Sequence, residues 1–112
     1  MDINQSFQQD RCILSLNGRL DSNASPELDR KIGEIIEGGC MHLVIDCKKL
    51  DYITSAGLRI MIKTAKALKG KSGSLVLCEM ADYVREVFEI AGFDKFLPIV
   101  ATLEEALAYP SS

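Results

Sequence analysis

Residues 43–68 read LVIDCKKLDYITSAGLRIMIKTAKAL, and the fold turns on how they divide. Leu43-Val44-Ile45 is a short continuous apolar run ending at Asp46. That pattern suits a central strand covered on both faces. Leu58, Met61, Ile62, Ala65 and Leu68 recur at helical spacing and form the buried stripe of a helix. Lys48 to Thr54 reads as the connector between the two. Gly70 suits the C-terminal stop. Gly70-Lys71-Ser72 resembles the end of a phosphate-binding loop only superficially. The earlier glycine that such a loop requires is Ala65, and the segment ends a helix where it should start one.

Upstream, Ile3, Gln5 and Phe7 alternate, Gln8-Gln9-Asp10 reads as a turn, and Cys12, Leu14 and Leu16 share one face of a second strand. This pair predicts an antiparallel hairpin, with Asn17-Gly18 as the end of its second strand and Asp21-Ser22-Asn23 as a loop. Ser25-Pro26 suits a helix start, with Ser25 as N-cap and Pro26 at the first helical position. Leu28, Ile32, Ile35 and Ile36 follow at helical spacing, and Gly38-Gly39 stops the helix. Downstream, Leu75-Val76-Leu77 predicts another buried strand. Val84, Val87, Phe88 and Ala91 predict a helix facing the core, closed by Gly92 with Phe93 packing back. Phe96 to Val100 reads as a last strand, confined to a sheet edge by Pro98. Thr102 and Glu105 fit a capping box for a short final helix with Leu103, Ala106 and Leu107 inward. The predicted order is β-β-α-β-α-β-α-β-α. This is an α/β single domain over residues 1–112, with a mixed, mostly parallel sheet of four to five strands, four helices and right-handed crossovers.

The composition narrows the function. A chain of 112 residues with 47% hydrophobic and 26% charged residues is one folded domain. A net charge of −3 argues against a nucleic-acid partner, because phosphates demand an excess of clustered Lys and Arg. Cys12, Cys40, Cys47 and Cys78 form no C-x-x-C pair, and His42 is the only histidine, so no metal and no cofactor is expected. The cysteine usage suits a reducing cytosol, and no apolar run approaches the roughly 20 residues that span a bilayer. The expected localisation is therefore cytoplasmic, without membrane insertion. His42 has no Ser–Asp or Cys–His arrangement around it and reads as a strand start. Asp46 and Asp51 read as strand-end and loop residues before they read as a carboxylate pair. Nothing here predicts an enzyme.

The candidate site lies at Asp51-Tyr52-Ile53-Thr54-Ser55-Ala56-Gly57-Leu58, because loops at the carboxyl edge of an open α/β sheet carry function. Ser55 is a preferred capping residue, and one reading makes it the N-cap itself. If Thr54 caps instead, Ile53 and Leu58 occupy the two positions of a hydrophobic staple. Ser55 then falls at the first helical position with a hydroxyl free for solvent, where the helix dipole favours an anion such as a phosphate. Ala56 and Gly57 add little bulk, which suits close approach of another protein. Arg59, Lys63 and Lys66 recur on one side of the helix, either as a solvated face or as a rim that steers an acidic partner.

The segment Asp51 to Arg59 resembles the signature of the STAS domain, the family of sulfate transporters and anti-sigma factor antagonists. Gly18-Arg19-Leu20-Asp21 resembles the family's segment after the hairpin, and the predicted element order fits nearly the whole chain. The resemblance implies a stand-alone bacterial anti-sigma factor antagonist. Such a protein binds an anti-sigma factor, which is often also a serine kinase. Phosphorylation at the position of Ser55 switches it off, and a serine phosphatase restores it. Asp21 matches an acidic residue near that serine. The family's best-known antagonists carry Asp immediately before the serine, where this chain has Thr54. The binding surface implied comprises Asp21, Ser22, Asn23, Tyr52, Thr54, Ser55, Ala56, Gly57, Arg59 and Lys63, on a monomer or weak dimer. Stand-alone STAS domains also resemble regulatory subunits of lipid-transport ATPases, so the alternative is an accessory subunit of a membrane transporter.

Overall fold

A computed structural model describes residues 1–110; Ser111 and Ser112, the last two residues of the predicted domain, lie outside the described residues. The elements run β1 (Asp2–Gln8), β2 (Arg11–Leu20), α1 (Ser25–Glu37), β3 (His42–Ile53), α2 (Ser55–Lys69), β4 (Ser74–Cys78), α3 (Asp82–Ile90), β5 (Ile99–Val100) and α4 (Leu103–Ala108). A 3₁₀ turn at Phe93–Lys95 follows α3. This is the predicted order, with the sheet at five strands.

The strands lie side by side in chain order, β1-β2-β3-β4-β5. β1 and β2 are antiparallel, and every later pair is parallel. Because each new parallel strand is added on the same side, right-handed connections must carry their helices over the same face. α1, α2 and α3 accordingly share one core. Leu28, Ile32, Leu58, Met61, Val84 and Phe88 meet Leu14, Leu43, Ile45 and Leu77 of the sheet there. α4 alone covers the other face, with Ala106 against Ile13, Val44, Val76 and Cys78. No helix among the described residues is long and apolar enough to cross a membrane.

Several boundaries depart from the sequence reading. β2 does not end at Asn17-Gly18. Gly18 takes φ +115°, and register shifts at Ser15/Asn17 and Gly18/Arg19 let the strand bulge and continue to Leu20. The supposed connector after Lys48 is also strand. β3 runs on to Ile53, paired with the far end of β2 and burying Cys47, Leu50 and Ile53. At the start of α1, Ala24 is the N-cap and Ser25 is buried inside the first turn. Its hydroxyl donates to the Asp21 carbonyl at 2.7 Å, while the Asp21 carboxylate accepts from the amides of Asn23 and Ala24, both at 3.0 Å. Ala91 is exposed, not inward, because α3 ends one residue before it and Gly92 turns left-handed at φ +77°. The last strand is only two residues long, and Phe96 stands exposed. α4 starts on the expected cap: the Glu105 amide donates to the Thr102 hydroxyl at 3.1 Å. The Glu105 carboxylate accepts from the Ala101 amide, one residue further back than a capping box prescribes.

The cysteines are free thiols, three of them buried. Burial pushes Cys12 up to about 11 and Cys78 to about 12 from an ordinary value of 9.0, and raises Cys47 further. His42 begins β3, with Nδ1 3.0 Å from the Ser74 hydroxyl.

Candidate functional site at the start of the second helix

The long ends of β2 and β3 reach beyond β4, whose pairing stops at Asp46↔Cys78. This two-stranded extension delivers Leu20 and Ile53 together in register, and the chain leaves both at once. From Leu20 it enters the Asp21–Asn23 turn. From Ile53 it enters α2 through Thr54.

Thr54, with extended backbone (φ −103°, ψ 175°), is the N-cap residue. The reading with Ser55 as cap is therefore set aside. The Thr54 side chain does not cap the helix in the usual sense either. Its hydroxyl donates to the Leu20 carbonyl at 3.3 Å, beside its own amide, which donates to the same oxygen at 3.1 Å. These bonds tie the start of α2 to the end of β2, next to Asp21. Ile53 and Leu58 are both buried in the main core, as the staple requires. Ser55 occupies the first helical position and is exposed. The first turn of α2 carries no acidic side chain, so its N-terminal dipole has no carboxylate partner there.

Of the predicted surface, Ser22, Asn23, Tyr52, Ser55, Arg59 and Lys63 are exposed, and Asp21, Thr54 and Ala56 are half-buried. Gly57 does not belong to this surface. It is buried, and a Cβ there would lie 2.8 Å from Leu20 Cγ and 2.9 Å from Ile53 Cγ1. Its small size lets α2 sit on the strand ends; it does not serve a partner's approach. Lys63 is engaged within the molecule. Its ammonium lies 2.9 Å from the Asp29 carboxylate of α1.

Two contributors escaped the sequence reading. Arg19, opposite Tyr52 in the strand register, holds its guanidinium 4.4 Å from the centre of the Tyr52 ring. The arginine stacks on the aromatic face and steadies the half-exposed tyrosine beside the site. Arg19 stands within the Gly18–Asp21 segment, but nothing in its spacing announced a pairing with Tyr52. The second is an open depression of about 640 Å³ lined by Arg19, Asp21, Asn23, Glu27 and Asp51, among others. Asp21 and Asp51 thus share one concavity, on a surface where carboxylates outnumber cations. The exposed side of α2, with Arg59, Lys63 and Lys66, has the opposite sign.

Comparison with known proteins adds a family to this geometry. Residues 2–106 match the STAS domain. BtrV of Bordetella bronchiseptica is 41% identical over 96 residues, which cover 86% of this chain and 83% of that protein. The anti-sigma-B factor antagonist of Bacillus subtilis is 30% identical over 106 residues, covering 93% of this chain and 96% of the relative. Among solved structures, the anti-sigma factor antagonist SpoIIAA in its unphosphorylated form superposes with a TM-score of 0.81 at 22% identity, covering 95% of this chain and 93% of its own. At that identity the likeness speaks for the fold.

Proposed function

This chain belongs to the STAS domain family, and from that premise we propose that it is an anti-sigma factor antagonist switched by phosphorylation of Ser55. The unmodified protein binds an anti-sigma factor through the Asp21–Asn23 turn, Tyr52, Ser55 and the exposed side of α2 carrying Arg59. A serine kinase, most economically the anti-sigma factor itself, transfers the γ-phosphoryl group of ATP to Ser55 Oγ. ADP leaves, and the hydroxyl proton is lost. A serine phosphatase hydrolyses the ester and restores binding. The chain is a substrate in this cycle and catalyses no step of it.

The observation that carries the reading is the exposure of Ser55 at the first position of α2, with the capping position already filled by Thr54. A capping serine would have its oxygen committed to the helix; this one is presented. Relatives named as anti-sigma factor antagonists cover most of the chain, which supports the same role. The switch needs no refolding. A phosphate brings about −1.5 to −2 charges, and a helix N-terminus tolerates them with about 0.3–1 kcal/mol in favour. An interface that covers the same spot does not. An unpaired charge buried there costs roughly 3–5 kcal/mol, or roughly a hundredfold to a few thousandfold in affinity.

The test is the intact mass of the protein after incubation with ATP and a serine kinase of the anti-sigma factor type from the same organism, with Ser55→Ala in parallel. One phosphate gained by the wild type and none by the variant is the expected result. Phosphate on both would move the switch to another residue. A kinase active on its own control substrate that leaves the wild type unmodified would defeat the phosphorylation reading.

A further inference from the structure

β1 is an open sheet edge of seven residues, Asp2–Gln8, all exposed except the half-buried Ile3. It pairs with β2 at every position without a register shift. The turn that joins them has two central residues, Gln9 and Asp10, with φ of 54° and 66°. Two positive φ values in a two-residue hairpin loop define a type I′ turn, closed by the Gln8–Arg11 pair. In an antiparallel ladder the bonding direction alternates along the strand. Gln8, Ser6, Asn4 and Asp2 therefore bond inward to β2. The N–H and C=O groups of Ile3, Gln5 and Phe7 point out of the sheet.

Such an edge is a template for another strand, and proteins that must stay apart blunt it with lysine, proline or a bulge. The sequence DINQSFQ has none of these. It also carries a largely exposed aromatic side chain: Phe7 is 68% exposed. Phe7 borders a groove of about 250 Å³ between β1 and the end of α1, lined also by Gln5, Ile35, Gly38 and Cys40.

We infer that two copies of this chain pair through β1, antiparallel, about a two-fold axis at Gln5. This is the only two-fold register that overlaps all seven residues, and the sequence is complementary to itself in it. Gln5 faces Gln5. Ile3 of each copy faces Phe7 of the other on the α1 side of the sheet, at the mouth of the groove beside Phe7. Asn4 faces Ser6, and Asp2 faces the neutral Gln8, so no like charges are opposed. The outward groups of Ile3, Gln5 and Phe7 then bond to their counterparts, and the two five-stranded sheets become one. The contact is isologous and closed, so it stops at two copies. One strand pair is a small interface, which suits dissociation in roughly the micromolar to millimolar range.

The experiment is sedimentation velocity from about 10 μM to about 1 mM, combined with hydrogen exchange at the amides of Ile3, Gln5 and Phe7. Expected is a concentration-dependent dimer, with these three amides slowed about tenfold or more at the high end. Gln5→Pro removes only an outward N–H, so it should keep the hairpin and abolish the dimer. Phe7→Lys places a charge on each side of the axis, needs no backbone change, and carries the test if the proline variant fails to fold. Wild-type protein that stays monomeric throughout, or a dimer that persists in folded Gln5→Pro and Phe7→Lys, would overturn the inference. So would protection of β1 that appears only when a different protein is added.

Discussion

Thr54 and Leu20, 34 residues apart in the chain, are joined twice: the amide and the hydroxyl of Thr54 both donate to the Leu20 carbonyl, at 3.1 and 3.3 Å. One oxygen thereby holds the start of α2 beside the turn that carries Asp21. An ionised Asp at position 54 would have no proton to donate and could not make the second of these bonds.

Thr54→Val keeps the shape and the amide bond but removes the hydroxyl. The expected loss is about 1 kcal/mol, seen as a melting temperature lower by roughly 4 °C. A variant that melts with the wild type would mean the amide alone sets the junction.

Gly57→Ala is the opposite of a routine helix improvement. Alanine gains about 1 kcal/mol in helix propensity over glycine. Here the new methyl collides with Leu20 Cγ and Ile53 Cγ1, neither of which is the free tip of a flexible chain. Overpacking of this kind costs about 1–3 kcal/mol, so the net effect is zero to about 2 kcal/mol of destabilisation where helix propensity alone predicts a gain. Urea denaturation distinguishes the two by the sign of the midpoint shift.

Ser55→Asp separates stability from recognition. The residue is exposed at a helix N-terminus, so its charge should leave the melting temperature unchanged or slightly raised. Affinity for the anti-sigma partner, read by calorimetry, should fall by roughly a hundredfold or more. A carboxylate carries less charge than a phosphate. An unchanged affinity would mean that the interface does not cover this residue.

The buried thiols give a dependence on alkaline pH. Cys12 and Cys78 ionise near 11 and 12 when folded and near 9.0 when unfolded. A raised acid keeps its full contribution below the unfolded value and loses it as pH climbs towards the folded one. Stability should therefore be flat up to about pH 8.5 and decline from about pH 9 to 11, at up to ~1.4 kcal/mol per pH unit for each thiol. Thermal melts across that range check the slope. Alkylation at neutral pH should reach half-buried Cys40 first and leave the other three slow.

The regions read correctly from sequence are those where one physical signal dominates. Leu43-Val44-Ile45 and Leu75-Val76-Leu77 are central strands because nothing but burial on both faces tolerates such runs. The stripe from Leu58 to Leu68 is a helix for the same kind of reason. The errors concentrate where period two breaks down. From Cys47 to Ile53 the buried residues fall three apart, at Cys47, Leu50 and Ile53, because bulges shift the register, and a strand with that spacing looks like a loop. Gly18 looked like a stop and is a bulge. Ser25 and Thr54 have capping chemistry, yet neither hydroxyl caps its helix: Ser25 donates back to the Asp21 carbonyl four residues earlier, and Thr54 to the Leu20 carbonyl of another strand, a choice that depends on tertiary neighbours. At the site, the staple of Ile53 and Leu58 was legible, but whether Thr54 or Ser55 caps the helix was left open by the residues alone. The burial of Gly57, the stacking of Arg19 on Tyr52 and the tether of Lys63 to Asp29 were not, since each depends on which strand or helix comes to lie alongside.

The doubled tie between Thr54 and Leu20 also fixes the surroundings in which an enzyme would meet Ser55. A short synthetic peptide copying residues 48–62 would contain every letter around the serine, yet lack the far strand that holds it. Ser55 sits in the first turn of a folded helix, beside a turn encoded more than thirty positions earlier. A kinase that took this residue in the folded protein would meet a surface drawn from two distant stretches of the chain at once.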